Sequence, residues 1–183
     1  KIIAIDPVIP EPNSFQEQNS ALFEDVSNHP IAKRRNEFSS VEEMMDRLRG
    51  KGSYGIFDSE VFKDYCKYGL LKNEEGSGYH LACPPDIEAS VYSSSRTNAK
   101  IYDSLEKIRF PVLIIRAKER QPGKQVMDFS TSPTWPELVN QFENGKEIYF
   151  PDNTHFLPME IPEKIIEILK TEIAEVATQF SAD

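Results

Sequence analysis

Two short apolar runs late in the chain constrain the fold most strongly. Residues 111–116 read Pro-Val-Leu-Ile-Ile-Arg, and residues 146–150 read Lys-Glu-Ile-Tyr-Phe. Runs of this length that are rich in β-branched and aromatic residues favour β-strands, and the pattern of residues 134–142 between them favours a helix. A strand, a helix and another strand in succession are typical of a parallel α/β sheet.

A third strand is predicted at the start of the chain, where Ile2-Ile-Ala-Ile5 runs into Asp6-Pro7. The four apolar residues are typical of a buried strand, and the residue before a proline commonly marks the end of an element. We expect strands 1–6, 111–116 and 146–150 to lie side by side and parallel. Because the chain enters this strand directly from Lys1, with no Met, we also expect a fragment or one chain of a cleaved pair, with sequence missing upstream.

His155 follows the last of these strands, in a loop that ends where an amphipathic helix is predicted over residues 162–180. The predicted apolar side of this helix carries Ile165, Ile166, Leu169, Ile173 and Val176. Loops at the carboxyl ends of strands are where open α/β sheets bind ligands. A single loop histidine is more often a surface or packing residue, so its neighbours, Thr154 and Phe156 through Glu160, decide how it is interpreted.

Four segments together resemble the C-terminal part of the α/β-hydrolase superfamily: Ile5-Asp6-Pro7, residues 111–116, Ser132-Pro-Thr-Trp-Pro136 and residues 154–160. The resemblance extends from Lys1 to about Phe180. Within the superfamily, the chain is similar to a serine-hydrolase-like subgroup that includes fungal toxin-biosynthesis hydrolases. It implies the C-terminal half of an α/β-hydrolase fold, a parallel sheet with an inserted helical cap. Residues 1–10 would form a core strand, residues 11–108 the cap, and residues 109–183 the rest of the core.

The same resemblance implies that His155 is the general base of a Ser-Asp/Glu-His triad. The acid is open. The family commonly has Gly-x-x-Asp after the strand at 111–116, whereas this chain has Ala117-Lys-Glu-Arg120, with arginine at the acid position. One group of haloalkane dehalogenases carries the acid at the end of the earlier strand, which makes Asp6 the first candidate and Glu119 the second. Asp128, or no acid at all, remains an alternative.

The nucleophile is not found in this chain. A triad hydrolase presents it on a strained turn, usually Gly-x-Ser-x-Gly, and Gly52-Ser-Tyr-Gly55 lacks the first glycine because position 51 is Lys. The resemblance therefore implies a partner, the missing N-terminal half of the hydrolase core, and an inactive chain in its absence. The implied substrate is a small-molecule ester or similar acyl compound. Dehalogenase or epoxide-hydrolase chemistry, with an upstream Asp nucleophile, and a non-catalytic binding member are the alternatives.

The cap segment contains several predicted helices. Ser39 or Ser40 with Glu42-Glu43 is typical of a capping box at the start of the first helix, and a second helix is predicted from Asp58. In the family the cap shapes the substrate pocket, which implies six pocket candidates, although helical spacing explains them equally well as core residues. They are Met44, Met45, Phe57, Phe62, Tyr65 and Tyr92.

Charge and composition exclude several functions. A net charge of −9 and a pI near 4.9 argue against a nucleic-acid partner, which requires a basic face. No apolar run is long enough for a membrane span, and no signal peptide is recognisable, so a soluble, cytoplasmic protein with no membrane partner is expected. The spacing of the three histidines predicts no metal site, and no glycine-rich phosphate loop predicts a cofactor. Cys66 and Cys83 are expected to be buried free thiols.

Overall fold

The computed structural model describes residues 1–13, 26–94, 99–121 and 129–180, with side chains described up to Ala174 in the last helix. Asp128 lies outside the described residues. The chain divides into two compact units. The core unit comprises Lys1–Glu11, Ile56–Asp58 and Asp103–Asp183, and the insert unit comprises Pro12–Gly55 and Ser59–Tyr102. None of the helices in the described ranges is long and apolar enough to cross a membrane.

The described elements are short strands and helices, with one long helix at the end. The strands are β1 (Ile2–Ile5), β2 (Glu37–Phe38), β3 (Leu70–Lys72), β4 (Tyr79–Leu81), β5 (Val112–Arg116) and β6 (Gly145–Tyr149). The α-helices are α1 (Val41–Leu48), α2 (Ser59–Tyr68), α3 (Pro85–Ser94), α4 (Tyr102–Leu105), α5 (Leu157–Glu160) and α6 (Pro162–Phe180). Short 3-10 helices cover Val26–Asn28, Pro30–Lys33, Gly52–Ile56, Ala99–Ile101 and Pro136–Gln141.

The core unit is built on a parallel three-stranded sheet in the order β1-β5-β6. Ile2 lies opposite Val112, and Val112 lies opposite Gly145, so the three strands are in register at their amino ends. The predicted parallel arrangement is confirmed. Every residue of the central strand β5 is buried, which explains its nearly continuous apolar sequence, because a central parallel strand is covered on both faces.

Helix α6 covers one face of this sheet. Leu113, Ile115 and Ala117 form a buried cluster with Leu157 and with Ile165 of α6. The helix has the predicted bounds, Pro162–Phe180. Ile166 and Ile173, however, which the sequence places on its apolar side, are 47% and 62% exposed. Next to Ile173, the buried residue is instead Glu172, which pairs with Lys1 and Lys146.

Two helices that the sequence predicts, at residues 134–142 and 98–108, are shorter than expected. Residues 134–142 contain a 3-10 helix at Pro136–Gln141, and residues 98–108 contain a 3-10 turn followed by the four-residue α4. The 3-10 helix at Pro136–Gln141 is packed closely against the start of β6, since a Cβ atom on Gly145 would clash with the carbonyl oxygen of Val139.

The insert unit contains helices α1 to α3 and an antiparallel sheet in the order β2-β4-β3. The sequence predicts a mostly helical segment and misses this sheet, because strands of two or three residues are too short to show an alternating pattern. A variant of the capping box is present: the hydroxyl of the cap residue Ser40 accepts the Glu43 N–H at 3.1 Å, and the Glu43 carboxylate accepts the N–H of the preceding residue, Ser39, at 2.7 Å.

Both cysteines are free thiols, as predicted, but their surroundings differ. Cys66 is buried in α2, and burial raises the pKa of its thiol. Cys83 is exposed, so the prediction that it is buried is wrong. It lies two residues after the end of β4, where the chain leaves the sheet for α3.

Candidate active site

Asp6 directly follows β1 and occupies an unusual backbone conformation. Its N–H donates to the Ile115 carbonyl at 2.7 Å, and its φ is +43°, in the left-handed region that L-residues seldom adopt. Such a conformation costs on the order of 1 kcal/mol or more and persists where surrounding contacts determine it. The residue is 1% exposed, so its carboxylate is withdrawn from solvent.

One carboxylate oxygen of Asp6 is held by groups from the chain that follows β5. Oδ1 accepts the backbone N–H of Ala117 at 2.9 Å and the hydroxyl of Ser132 at 2.5 Å. The Thr134 hydroxyl lies 3.3 Å from the same oxygen. Because a buried carboxylate without donors is costly, this set of hydrogen bonds explains how Asp6 is tolerated inside the core unit.

The other carboxylate oxygen faces His155, whose Nδ1 lies 2.7 Å from Asp6 Oδ2. Against an ionised carboxylate, which can only accept, Nδ1 is the donor in this contact, and a neutral imidazole then keeps its lone pair on Nε2. The His155 side chain is 21% exposed, against 1% for Asp6. The pair thus joins a buried carboxylate to a more exposed imidazole.

The loop that carries His155 is fixed by its neighbours. Glu160 Oε2 accepts the N–H of Thr154 at 2.8 Å and the Thr154 hydroxyl at 3.0 Å, and that hydroxyl accepts the Phe156 N–H at 3.2 Å. The backbone N–H of His155 donates to the Phe129 carbonyl at 3.3 Å. The imidazole is therefore preorganised by contacts on both sides of it in the sequence.

Aromatic rings surround the imidazole. The ring of Phe129 is stacked on His155 at a centroid distance of 5.3 Å, and the ring of Phe156 lies 5.8 Å away. Phe57 packs against Phe156 at 5.5 Å, and the next residue, Asp58, donates its N–H to the Met159 carbonyl at 2.7 Å. These three phenylalanines are partly buried, and they make an apolar wall beside the imidazole.

Glu119, the second candidate acid, lies elsewhere. Its N–H donates to the Tyr149 hydroxyl at 3.2 Å, and the residue is exposed. In the part of the chain that the structure describes, its carboxylate makes no contact with His155. The structure therefore brings Asp6, and not Glu119, to the imidazole.

The six pocket candidates are divided between the two units. Phe57 belongs to the core unit, where its ring packs against that of Phe156 beside His155. In the insert unit Met44 and Phe62 are buried, while Met45 is half-buried. The Tyr65 hydroxyl is bonded to that of Tyr54 at 3.2 Å, and Tyr92 stacks on His29 at 5.7 Å. Their contact with a substrate stays a prediction.

Sequence reasoning missed the two hydroxyl groups beside the Asp6 carboxylate. They belong to Ser132 and Thr134, in the segment Ser132-Pro-Thr-Trp-Pro136, which is part of the resemblance but is given no role by it. Two hydroxyl residues flanking a proline were the available signal. No group of three or more histidine, cysteine, aspartate or glutamate residues in the described ranges is arranged to hold a metal ion.

Comparison with known proteins identifies the fold. No family model and no curated protein matches the sequence. Among solved structures, the chain is similar to the peroxisomal α/β-hydrolase Lpx1 of Saccharomyces cerevisiae, with a TM-score of 0.66, 18% identity, and coverage of 95% of this chain and 45% of Lpx1. It is also similar to E-2-(acetamidomethylene)succinate hydrolase, with a TM-score of 0.58, 15% identity, and coverage of 94% and 56%.

The chain therefore adopts part of an α/β-hydrolase fold, with a parallel sheet and helices. It spans about half the length of the solved proteins that it matches. At these identities the likeness defines the fold, and the chemistry has to be argued from the site itself.

Proposed function

We propose that this chain supplies the acid and the base of an α/β-fold hydrolase acting on an ester or similar acyl compound of small size. The observation that carries the proposal is the 2.7 Å contact between Asp6 Oδ2 and His155 Nδ1, made by a buried acid and a partly exposed base. His155 Nε2 would take the proton of a hydroxyl nucleophile and later return it to the leaving group, while Asp6 fixes the tautomer.

The nucleophile would come from outside residues 1–183, because no Gly-x-Ser-x-Gly turn is present in the sequence. The sheet offers a place for it. In the described sheet β1 pairs with β5 alone, and its isoleucines are half-buried. A further parallel strand beside β1 would end next to Asp6, where a strand-to-helix turn could present a nucleophile. We propose the N-terminal half of a hydrolase core as this partner.

The test is to co-produce the chain with the polypeptide encoded upstream of it and to measure hydrolysis of short-chain p-nitrophenyl esters. His155→Ala should lower kcat by about 1000-fold or more, because the base is lost. The matched control is His80→Ala in the insert unit, where the ring nitrogen is bonded to Asn73. An unchanged kcat in His155→Ala would contradict the proposal.

A second candidate chemistry has one observation in its favour. The acid that reaches His155 follows β1, the arrangement that the sequence shares with one group of haloalkane dehalogenases. In that case, or in an epoxide hydrolase, the upstream nucleophile would be aspartate and the intermediate an alkyl ester of the enzyme. Halide release by the co-produced protein, with no ester hydrolysis, would favour it. Binding without turnover of either substrate would favour a non-catalytic member of the fold.

A further inference from the structure

We propose that Ser132 is a positioning residue for the Asp6–His155 pair: its hydroxyl fixes the plane of the Asp6 carboxylate and so aligns Oδ2 with the imidazole. This inference rests on the proposed function for its catalytic consequence. The hydrogen bond between Ser132 and Asp6 lies within the core unit, and its effect on His155 can be measured without any catalytic activity.

The direction of the Ser132 hydrogen bond follows from its other contacts. Ser132 Oγ accepts the backbone N–H of Thr134 at 3.0 Å, which leaves the hydroxyl hydrogen to be donated to Asp6 Oδ1 at 2.5 Å. The Ser132 N–H donates to the Lys118 carbonyl at 2.7 Å, so its backbone is tied to the chain leaving β5. Ser132 is 3% exposed, and water competes little for this bond.

Thr134 holds a different part of the same turn. Its hydroxyl has a single hydrogen to donate. The hydroxyl oxygen lies 2.6 Å from the Pro7 carbonyl oxygen and 3.3 Å from Asp6 Oδ1. The shorter contact takes the hydrogen. Thr134 therefore secures the backbone after Asp6, whereas Ser132 secures the carboxylate, and the two residues make a matched pair for an experiment.

The consequence for Asp6 concerns rotation about its Cβ–Cγ bond, which is a soft torsion for a carboxylate. The Ala117 N–H and the Ser132 hydroxyl both donate to Oδ1 and hold the plane between them. Without Ser132 a single donor remains as the primary partner of that oxygen. The carboxylate can then turn out of line with Nδ1, and the imidazole loses the tautomer that leaves Nε2 basic.

The test uses 15N-histidine NMR of the chain together with its co-produced partner half. In the wild type we expect a strongly deshielded His155 Nδ1–H signal. Ser132→Ala should broaden or abolish it, Ser132→Thr should restore it because the hydroxyl is kept, and Thr134→Val should retain it while lowering the melting temperature. In the assembled hydrolase, Ser132→Ala should lower kcat about 10-fold or more with KM unchanged.

Any one of three results would overturn the inference. The first is a retained Nδ1–H signal in Ser132→Ala, and the second is the same loss of signal in Thr134→Val. The third is a Ser132→Thr variant that melts at the same temperature as the wild type but does not recover the signal. If Ser132→Ala does not fold, Ser132→Cys preserves the shape with a weak donor and gives the same readout. The expected NMR pattern in a protein that shows no hydrolysis would support the positioning role and refute the proposed function, so the two failures are distinguishable.

Discussion

Asp6 Oδ2 and His155 Nδ1 lie 2.7 Å apart, although 149 positions separate the two residues in the chain. They follow β1 and β6, which are the two outer strands of the sheet, with β5 between them. The link across the middle strand is Ala117, the residue after β5, whose N–H donates to Asp6 Oδ1. The segments that follow the three parallel strands thus each contribute one group to a short series of hydrogen bonds, Ala117 N–H to Asp6 to His155.

This arrangement makes a specific prediction for Asp6→Asn. The donors on Oδ1 should keep the amide oxygen of the asparagine in place and turn its NH2 group toward His155, which would then have to accept at Nδ1 and carry its hydrogen on Nε2. The wrong tautomer should lower kcat of the assembled hydrolase by about 10⁴-fold. The melting temperature should change little, because asparagine tolerates positive φ.

Glu119→Gln is the control for this prediction, because Glu119 is exposed and its N–H, not its carboxylate, makes the bond to Tyr149. We expect kcat to stay within about threefold of the wild type, as for a surface substitution away from the site. The reverse ranking of the two variants would move the acid to Glu119 and leave the fold unaffected.

Sequence patterns predicted the parts of the core unit where long apolar runs decide the structure. The strands at Ile2–Ile5 and Val112–Arg116 and the helix Pro162–Phe180 were anticipated because burial on the sheet requires such runs. The position of His155 was anticipated because it follows a strand. The choice between Asp6 and Glu119 could not be made from the sequence, since it depends on which carboxylate the three-dimensional arrangement turns toward the imidazole.

Other features were missed for local reasons. The two- and three-residue strands of the insert unit carry too few side chains to show a period. Glu172 lies on a helical face that reads as apolar, and it is buried because Lys1 and Lys146 reach it from the sheet. Ser132 acts through a hydrogen bond to a residue 126 positions away, which no local pattern encodes.

The loop of His155 gives a second prediction. Glu160→Ala removes the carboxylate that accepts both the N–H and the hydroxyl of Thr154, so the turn before His155 should open more often. We expect faster amide hydrogen exchange at Thr154 and Phe156 by about 10-fold or more, since each 1.4 kcal/mol of lost stability is tenfold. Glu163→Ala, at an exposed position in the first turn of α6, is the control. Equal exchange in both variants would show that Glu160 does not hold the loop.

Glu172 gives a prediction about pH. The hydrogen bond and charge of Lys1, with a contribution from Lys146, hold the pKa of this buried carboxyl below its ordinary value of 4.5. A carboxyl whose pKa is lowered by folding stabilises the protein above its unfolded pKa, and this contribution is lost as the pH falls through its folded pKa. Glu172→Gln should therefore lower the melting temperature at pH 7, and the difference from the wild type should shrink below about pH 4.

The control for that measurement is Glu167→Gln, on the same helix, where an exposed carboxylate pairs with Lys164 at 2.8 Å. An exposed pair contributes little, about 0–1 kcal/mol, so its melting temperature should follow the wild type at every pH. A Glu172→Gln deficit that stays constant from neutral to acidic pH would show that Glu172 acts through packing and not through its charge.

Two glycines in the turn between β3 and β4 separate backbone strain from a steric clash. Gly76 and Gly78 both have positive φ, +102° and +94°, so alanine is strained at either position by about 1 kcal/mol. A Cβ at Gly76 would meet nothing within 4 Å, whereas one at Gly78 would lie 2.8 Å from the Phe38 carbonyl oxygen in β2. Gly78→Ala should therefore lower the free energy of unfolding in urea by at least about 1 kcal/mol more than Gly76→Ala. Equal losses would mean that β2 can move away from the turn without cost, and that the antiparallel sheet does not depend on this close approach.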